Sequence, residues 1–77
     1  MIGMSSAIAA LGAAIAITGS AIGTSIVQSS IGAAGMGLLA EKPEMTGSVL
    51  LYLVIPETIV IFGFVIAVLI ALGAGLI

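Results

Sequence analysis

Two long apolar runs dominate the chain, and one short polar cluster separates them. No charged residue occurs from Met4 to Leu39, and from Met45 to Ile77 the only charge is Glu57. A helix needs about 20 consecutive apolar residues to cross a bilayer. Each run is long enough, and the first is longer than required, so helix 1 is expected to extend past the bilayer on one side. Between the runs stands Ala40-Glu41-Lys42-Pro43-Glu44, which holds three of the chain's four charged side chains. Proline disfavours helical geometry at the residue before it, so the break falls at Lys42-Pro43. The pattern predicts an all-α membrane protein, a two-helix transmembrane antiparallel hairpin over residues 1–77. Helix 1 is placed at about 4–40, the polar loop at about 41–45 and helix 2 at about 46–76.

Composition excludes most alternatives. Hydrophobic residues make up 62% of the 77 positions and charged residues 5%, against roughly 25% charged in an ordinary globular protein. Three acids and one lysine cannot clothe a surface in water, so the chain must meet lipid or copies of itself. A net charge of −2 leaves no basic patch for nucleic acid. Without cysteine or histidine there are no disulfides, no thiol chemistry and no ordinary zinc constellation. No nucleophile–base pair or phosphate-cradling glycine loop is present either, so no catalytic residue and no cofactor site is expected. The amino end lacks a basic segment, and its apolar stretch outruns the ~7–15 residues of a signal core, so it is expected to stay in the mature protein. Lys42 is the chain's only basic side chain, and basic loops favour the cytoplasmic side.

The two helices differ in texture. In helix 1, Gly12, Ala16, Ser20 and Thr24 recur every fourth position, and Gly19 and Gly23 form a GxxxG step. Helix 2 carries bulk at Leu50, Leu51, Leu53, Ile59, Ile61, Phe62, Phe64 and Leu69. Helices in lipid associate through close packing of small residues, because lipid offers little hydrophobic drive between them. A slim helix 1 suits an inner ring of closely packed copies, with helix 2 outside against lipid. The same small residues would also serve a dimer or the hairpin's own contact.

Glu57 is the residue that calls for a function. An ionisable side chain in mid-membrane costs at least ~2.5–3.5 kcal/mol, and such residues face interiors or cavities and mark ion pathways. Gln28 and Glu57 are equally far from the loop, roughly 20 Å along each helix at 1.5 Å per residue. In an antiparallel hairpin they share a depth, so the Gln28 amide can donate to Glu57 or offer its oxygen to a cation. Pro56 lacks an N–H and leaves the carbonyl of Tyr52 without its helical partner, which supplies another oxygen near the acid. The Thr58 hydroxyl can donate to the carboxylate or coordinate an ion, or it can back-bond to its own helix turn. Thr24, Ser25 and Ser29 lie within a turn of Gln28 and either enrich the site or ease packing.

The run Pro56-Glu57-Thr58, followed by Ile59-Val60-Ile61-Phe62-Gly63-Phe64-Val65-Ile66-Ala67, resembles the ring subunit of rotary ATPases. The nearest group is the proteolipid (c or K/L subunit) of archaeal A-type and V/A-type enzymes. Gln28-Ser29-Ser30-Ile31-Gly32-Ala33-Ala34-Gly35-Met36-Gly37 resembles the first helix of the same family, and the likeness covers about Gly19 to Leu69. The resemblance implies a homo-oligomeric ring in the cell membrane of an archaeon or bacterium, with helix 1 inside and helix 2 outside. It implies that Glu57 takes an ion from a half-channel in a stator a/I-type membrane subunit, carries it round the ring and releases it to a second half-channel. Central-stalk subunits would contact the loop at Glu41 to Glu44, which lies on the cytoplasmic side. In sodium-coupled members a helix 1 glutamine, the acid and a neighbouring hydroxyl bind Na+, and Gln28, Glu57 and Thr58 match that set. A tyrosine that supports such sites has no counterpart, since Phe62 stands in its place, so the proton is the favoured ion and Na+ the alternative.

Two other classes share some of these features. A small multidrug-type proton antiporter also uses an intramembrane glutamate, but it needs an aromatic-lined cavity, and this chain has one tyrosine, two phenylalanines and no tryptophan. A structural or pore-forming membrane peptide has no use for an acid matched in depth by a glutamine.

Overall fold

The computed structural model describes residues 3–77 as two antiparallel helices and a tight turn; Met1 and Ile2, which belong to the predicted hairpin, lie outside the described residues. Helix α1 spans Met4–Glu41, a single 3-10 turn spans Pro43–Met45, and helix α2 spans Thr46–Gly73. Both helices are long and apolar enough to cross a membrane. Helices suit these runs because lipid offers no partner to a backbone N–H or C=O, and a helix satisfies both within the segment.

The turn forms where the proline predicts it. Lys42 leaves the helical region (φ −133°, ψ 77°), the preference of a residue before a proline. Its N–H still donates to the Leu38 carbonyl at 2.7 Å, which extends α1 through Glu41, one residue beyond expectation. Pro43 opens the 3-10 turn, a place where its missing N–H costs nothing. The Met45 N–H closes the turn on the Lys42 carbonyl at 3.0 Å, and the Thr46 hydroxyl donates to the Pro43 carbonyl at 2.7 Å.

At the other end α2 stops at Gly73, short of the expected residue 76. Gly75 adopts the left-handed conformation (φ 72°). The Leu76 N–H then donates to the Ala71 carbonyl at 2.9 Å and the Gly75 N–H to the Leu72 carbonyl at 3.2 Å. This is a Schellman cap, which satisfies carbonyls that a helix end in lipid would otherwise leave bare. The 38 residues of α1 and 28 of α2 correspond to about 57 and 42 Å of helix, and the long axis of the molecule is 57 Å. The surplus of α1 therefore projects beyond the end of α2 on the side away from the loop.

Small residues bring the helices together. A Cβ on Gly63 would stand 2.6 Å from the Ser20 Cβ and 2.9 Å from the Ala16 carbonyl oxygen, and one on Gly35 would stand 2.6 Å from a Val49 methyl. Val49 and Thr24 are buried in this seam. Ser20 and Thr24, from the stripe assigned to an inner ring, thus serve the hairpin's own contact. Gly12, Gly19 and Gly23 have open space where a Cβ would stand, so the GxxxG step is left for other neighbours. Nor is α1 slim all round: Met4, Ile8, Leu11, Ile15, Ile22 and Ile26 are exposed at helical spacing. The bulk of α2 is outside as expected, with Leu50, Leu51, Ile59, Ile61, Phe62, Phe64 and Leu69 all exposed.

Gly63→Ala is expected to push the helices apart and cost about 1–3 kcal/mol, the usual range for overpacking. Ser20→Gly in the same chain should recover only part of the loss, because the Ala16 carbonyl remains in the way. The measurement is the thermal transition of the detergent-solubilised protein. An unchanged transition in Gly63→Ala would show that this contact does not hold the hairpin.

Candidate functional site

The site begins with a weakened turn. Pro56 lies inside α2, where it cannot donate to the Tyr52 carbonyl and its ring crowds that group. Pro56 is buried against α1, and its own carbonyl accepts a hydrogen bond of 2.9 Å from the Thr24 hydroxyl. One residue further, the Oε2 of Glu57 accepts a 2.8 Å hydrogen bond from Gln28 Nε2. The same nitrogen donates to the Leu53 carbonyl at 3.0 Å. Thr24 and Gln28 are four apart on α1, and Leu53 and Glu57 are four apart on α2, so each pair shares a helix face. Among the described residues, these are the only side-chain hydrogen bonds that cross between the helices.

The amide's orientation follows from its partners. A backbone carbonyl can only accept, so the Gln28 nitrogen and not its oxygen must face Leu53. One N–H serves Leu53 and the other serves Glu57, which leaves the amide oxygen as the side chain's remaining acceptor. Glu57 itself is half-buried, with one oxygen held by Gln28 and the other uncommitted. The surroundings are apolar helix surface, where a charged group is poorly solvated and a single fixed donor counts for more than in water.

The other predicted site residues are placed differently. The Thr58 hydroxyl donates to the Ile55 carbonyl on its own helix at 2.7 Å, and the residue is exposed. The Tyr52 ring is 61% exposed on the outer surface, and the carbonyl that Gln28 engages is that of Leu53, one residue on. Ser25 back-bonds to the Ala21 carbonyl at 2.7 Å, and Ser29 is exposed. Phe62 is exposed as well. Glu41, Lys42 and Glu44 are all exposed at the loop, roughly 20 Å along the helices from Glu57 at 1.5 Å per residue. The described residues contain no cluster of three or more His, Cys, Asp or Glu side chains.

Two participants escaped sequence reasoning in part. Leu53 acts through its backbone, which residue type does not advertise, although its position four before Glu57 puts both on one face. Thr24 was left undecided between site and packing; its signal is the same four-residue spacing, to Gln28. The arrangement can hold a single carboxyl group in place within an apolar surface, with one oxygen anchored and one free to exchange a proton or meet a cation.

The sequence pattern of the ATP synthase C-subunit family matches residues 11–70 of the chain. The A-type ATP synthase subunit K of Sulfolobus acidocaldarius is 42% identical over 59 residues, 77% of this chain and 58% of that protein. The V-type sodium ATPase subunit K of Enterococcus hirae is 38% identical over 64 residues, 83% of this chain and 41% of that protein. The A-type ATP synthase subunit K of Methanocaldococcus jannaschii is 34% identical over 61 residues, 79% of this chain and 28% of that protein. The chain thus spans 28% to 58% of the length of these curated relatives. No solved structure matches.

Replacing Gln28 with leucine keeps the bulk but removes both donors. The Leu53 carbonyl and Glu57 then lose their cross-helix partner, and stability is expected to fall by about 1–3 kcal/mol. In a Glu57→Gln background the loss should be smaller, because a neutral acceptor makes a weaker hydrogen bond than a carboxylate. Equal losses in both backgrounds, measured by thermal unfolding in detergent, would show that the Gln28–Glu57 bond contributes nothing.

Proposed function

The chain belongs to the ATP synthase C-subunit family, and from that membership we propose that it is the ion-carrying ring subunit, or proteolipid, of the membrane rotor of an A-type or V/A-type ATP synthase or ATPase. It is an integral membrane protein whose two apolar helices form a hairpin. The observation that carries the proposal is the Gln28–Glu57 hydrogen bond, an anchored carboxyl group midway along helices that otherwise hold no charge before the loop.

In this reading copies of the hairpin form a ring, and Glu57 collects an ion at a half-channel of the stator a/I-type membrane subunit. The loaded, neutral carboxyl group crosses the lipid-facing arc, because a charged side chain is costly in lipid. It discharges at the second half-channel, and rotation reaches the central stalk through the loop at Glu41 to Glu44, on the cytoplasmic side. The chain carries the ion and performs no nucleotide chemistry itself. The setting is the cell membrane of an archaeon or bacterium.

The proton is the ion that this donor set supports. Gln28 turns an N–H, not an oxygen, toward Glu57, and the Thr58 hydroxyl donates to the Ile55 carbonyl of its own helix. A sodium ion at Glu57, Gln28 and Thr58 would require the Gln28 amide to turn over and give up its bonds to Leu53 and Glu57, since a hard cation takes oxygen ligands. An organic-cation antiporter is not favoured, because the chain matches the ATP synthase C-subunit family; Phe62 and Phe64 are exposed, and Tyr52 edges only an open groove with Leu38 and Val49.

Glu57→Gln is expected to leave the ring assembled, since the amide keeps an acceptor for Gln28, and to lower ion-coupled turnover at least about 100-fold, because an amide cannot ionise. A carbodiimide, which attacks protonated carboxyl groups, should label Glu57 in the intact complex with a rate insensitive to added sodium at fixed pH. Sodium protection that disappears in Gln28→Ala would reassign the ion to Na+. Labelling at Glu41 or Glu44 in place of Glu57 would overturn the carrier role.

The ring itself has a separate test. A Cβ at Gly23 meets open space within the hairpin, so Gly23→Leu should fold normally yet fail to form rings, as bulk on a small-residue face blocks close approach of helices. Rings of normal mass from this variant would remove Gly23 from the contact between copies.

A further inference from the structure

We propose that Thr24 is a positioning residue for the carboxyl group: by holding the Pro56 carbonyl, it sets the rotation of α2 that brings Glu57 to Gln28. The inference rests on the reading of Glu57 as the ion carrier and adds a residue to that site. It starts from a contrast among hydroxyls. Ser20 donates to the Ala16 carbonyl at 2.7 Å, Ser25 to Ala21 at 2.7 Å, Ser30 to Ile26 at 3.4 Å and Thr58 to Ile55 at 2.7 Å. Each of these takes the local option open to a helical hydroxyl, a carbonyl three or four residues back. Thr24 had the same option in the carbonyl of Ser20. Instead it reaches across to Pro56 at 2.9 Å, and it is only 3% exposed.

The bond falls where α2 most needs a restraint. Pro56 deletes the helical hydrogen bond to Tyr52, so the turn leading into Glu57 has one fewer tie to the rest of its helix. The small-residue contacts at Gly35–Val49 and Gly63–Ser20 bring the helices close, but such smooth surfaces resist rotation about the helix axis poorly. Large side chains do not supply that resistance either, because most of them face outward. The directional restraints are the hydrogen bonds, and Thr24 provides the one adjacent to the acid in the chain. Its carbonyl partner precedes Glu57 directly, so fixing that peptide fixes the direction in which the Glu57 side chain leaves the helix. No other charged side chain lies on α1 before Glu41 or elsewhere on α2, so nothing else competes for this orientation.

The test uses the assembled rotary complex carrying variant rings, with Glu57→Gln as the reference for a dead carrier. Thr24→Val is the isostere without the hydroxyl, Thr24→Ala removes it with less bulk, and Thr24→Ser keeps it. Rings should form in all three. Ion-coupled turnover is expected to fall about 10- to 100-fold in Thr24→Val and Thr24→Ala, the scale on which a misplacement of about 1 Å acts, and to return in Thr24→Ser. In a Gln28→Ala background Thr24→Val should add less than about twofold, because residues acting through one contact are not additive. The infrared carbonyl band of protonated Glu57, identified by its absence in Glu57→Gln, should shift in Thr24→Val as it does in Gln28→Ala. An unshifted band, additive losses, or failure of both hydroxyl-free variants to assemble would overturn the positioning role. If wild-type turnover survives Glu57→Gln, the carrier reading fails instead, whatever Thr24 does.

Discussion

A carboxyl group midway along two apolar helices costs at least about 2.5–3.5 kcal/mol to insert, and the polar contacts of this hairpin are arranged around that cost. Among the described residues, the side-chain hydrogen bonds that cross between α1 and α2 all fall within one turn of Glu57. Gln28 is the pivot because it satisfies two acceptors with one nitrogen. Its bond to Leu53 does more than fill a valence. It holds the amide nitrogen toward Glu57, a donor that a carboxylate accepts strongly and the carbonyl oxygen of a neutral carboxyl group accepts more weakly. The site can therefore change its charge without being rebuilt.

The same medium dictates how the helices touch. In water, burying Val49 and its neighbours would drive the association; in lipid that drive is nearly absent, and closeness has to come from shape. Gly35 and Gly63 provide it by letting backbone and short side chains meet within ordinary contact distance only because no Cβ intervenes. Close approach in turn makes short side chains long enough. Thr24 reaches the Pro56 carbonyl at 2.9 Å across a gap that bulkier neighbours would have widened. Packing and polar chemistry are thus one device: glycine sets the distance, and the hydrogen bonds set the angle.

Much of this was legible in the chain because lipid leaves few solutions. Charge-free runs longer than a bilayer, a lysine–proline break and an acid and an amide equidistant from it lead to the hairpin and to the Gln28–Glu57 pairing by counting alone. The less legible parts depend on backbone atoms and on rotation about helix axes. The end of α2 moved because Gly75 can adopt a positive φ, and glycine in an apolar run reads equally well as packing. That Gln28 meets the Leu53 carbonyl is settled by helix rotation, to which residue types are silent. The stripe from Gly12 to Thr24 was ambiguous for a related reason. A four-residue repeat drifts round a 3.6-residue helix, so it names a family of faces, and only the partner helix determines which members are covered.

That division of α1 has a consequence for the site. The hairpin uses Ser20, Thr24, Gln28 and Gly35 on one side and leaves Gly19, Gly23 and a row of bulky residues on the other. Glu57 stands at the edge of the used side, half-buried, with one oxygen fixed and one free. Had the hairpin enclosed both oxygens, the group would be a structural hydrogen bond and could exchange nothing. Had it enclosed neither, the side chain would be free to leave the apolar surface for the nearest water, as long charged side chains in membranes do. Holding one oxygen while exposing the other keeps the carboxyl group at depth and still reachable. That is the requirement for a group that must be loaded and unloaded by something outside its own chain.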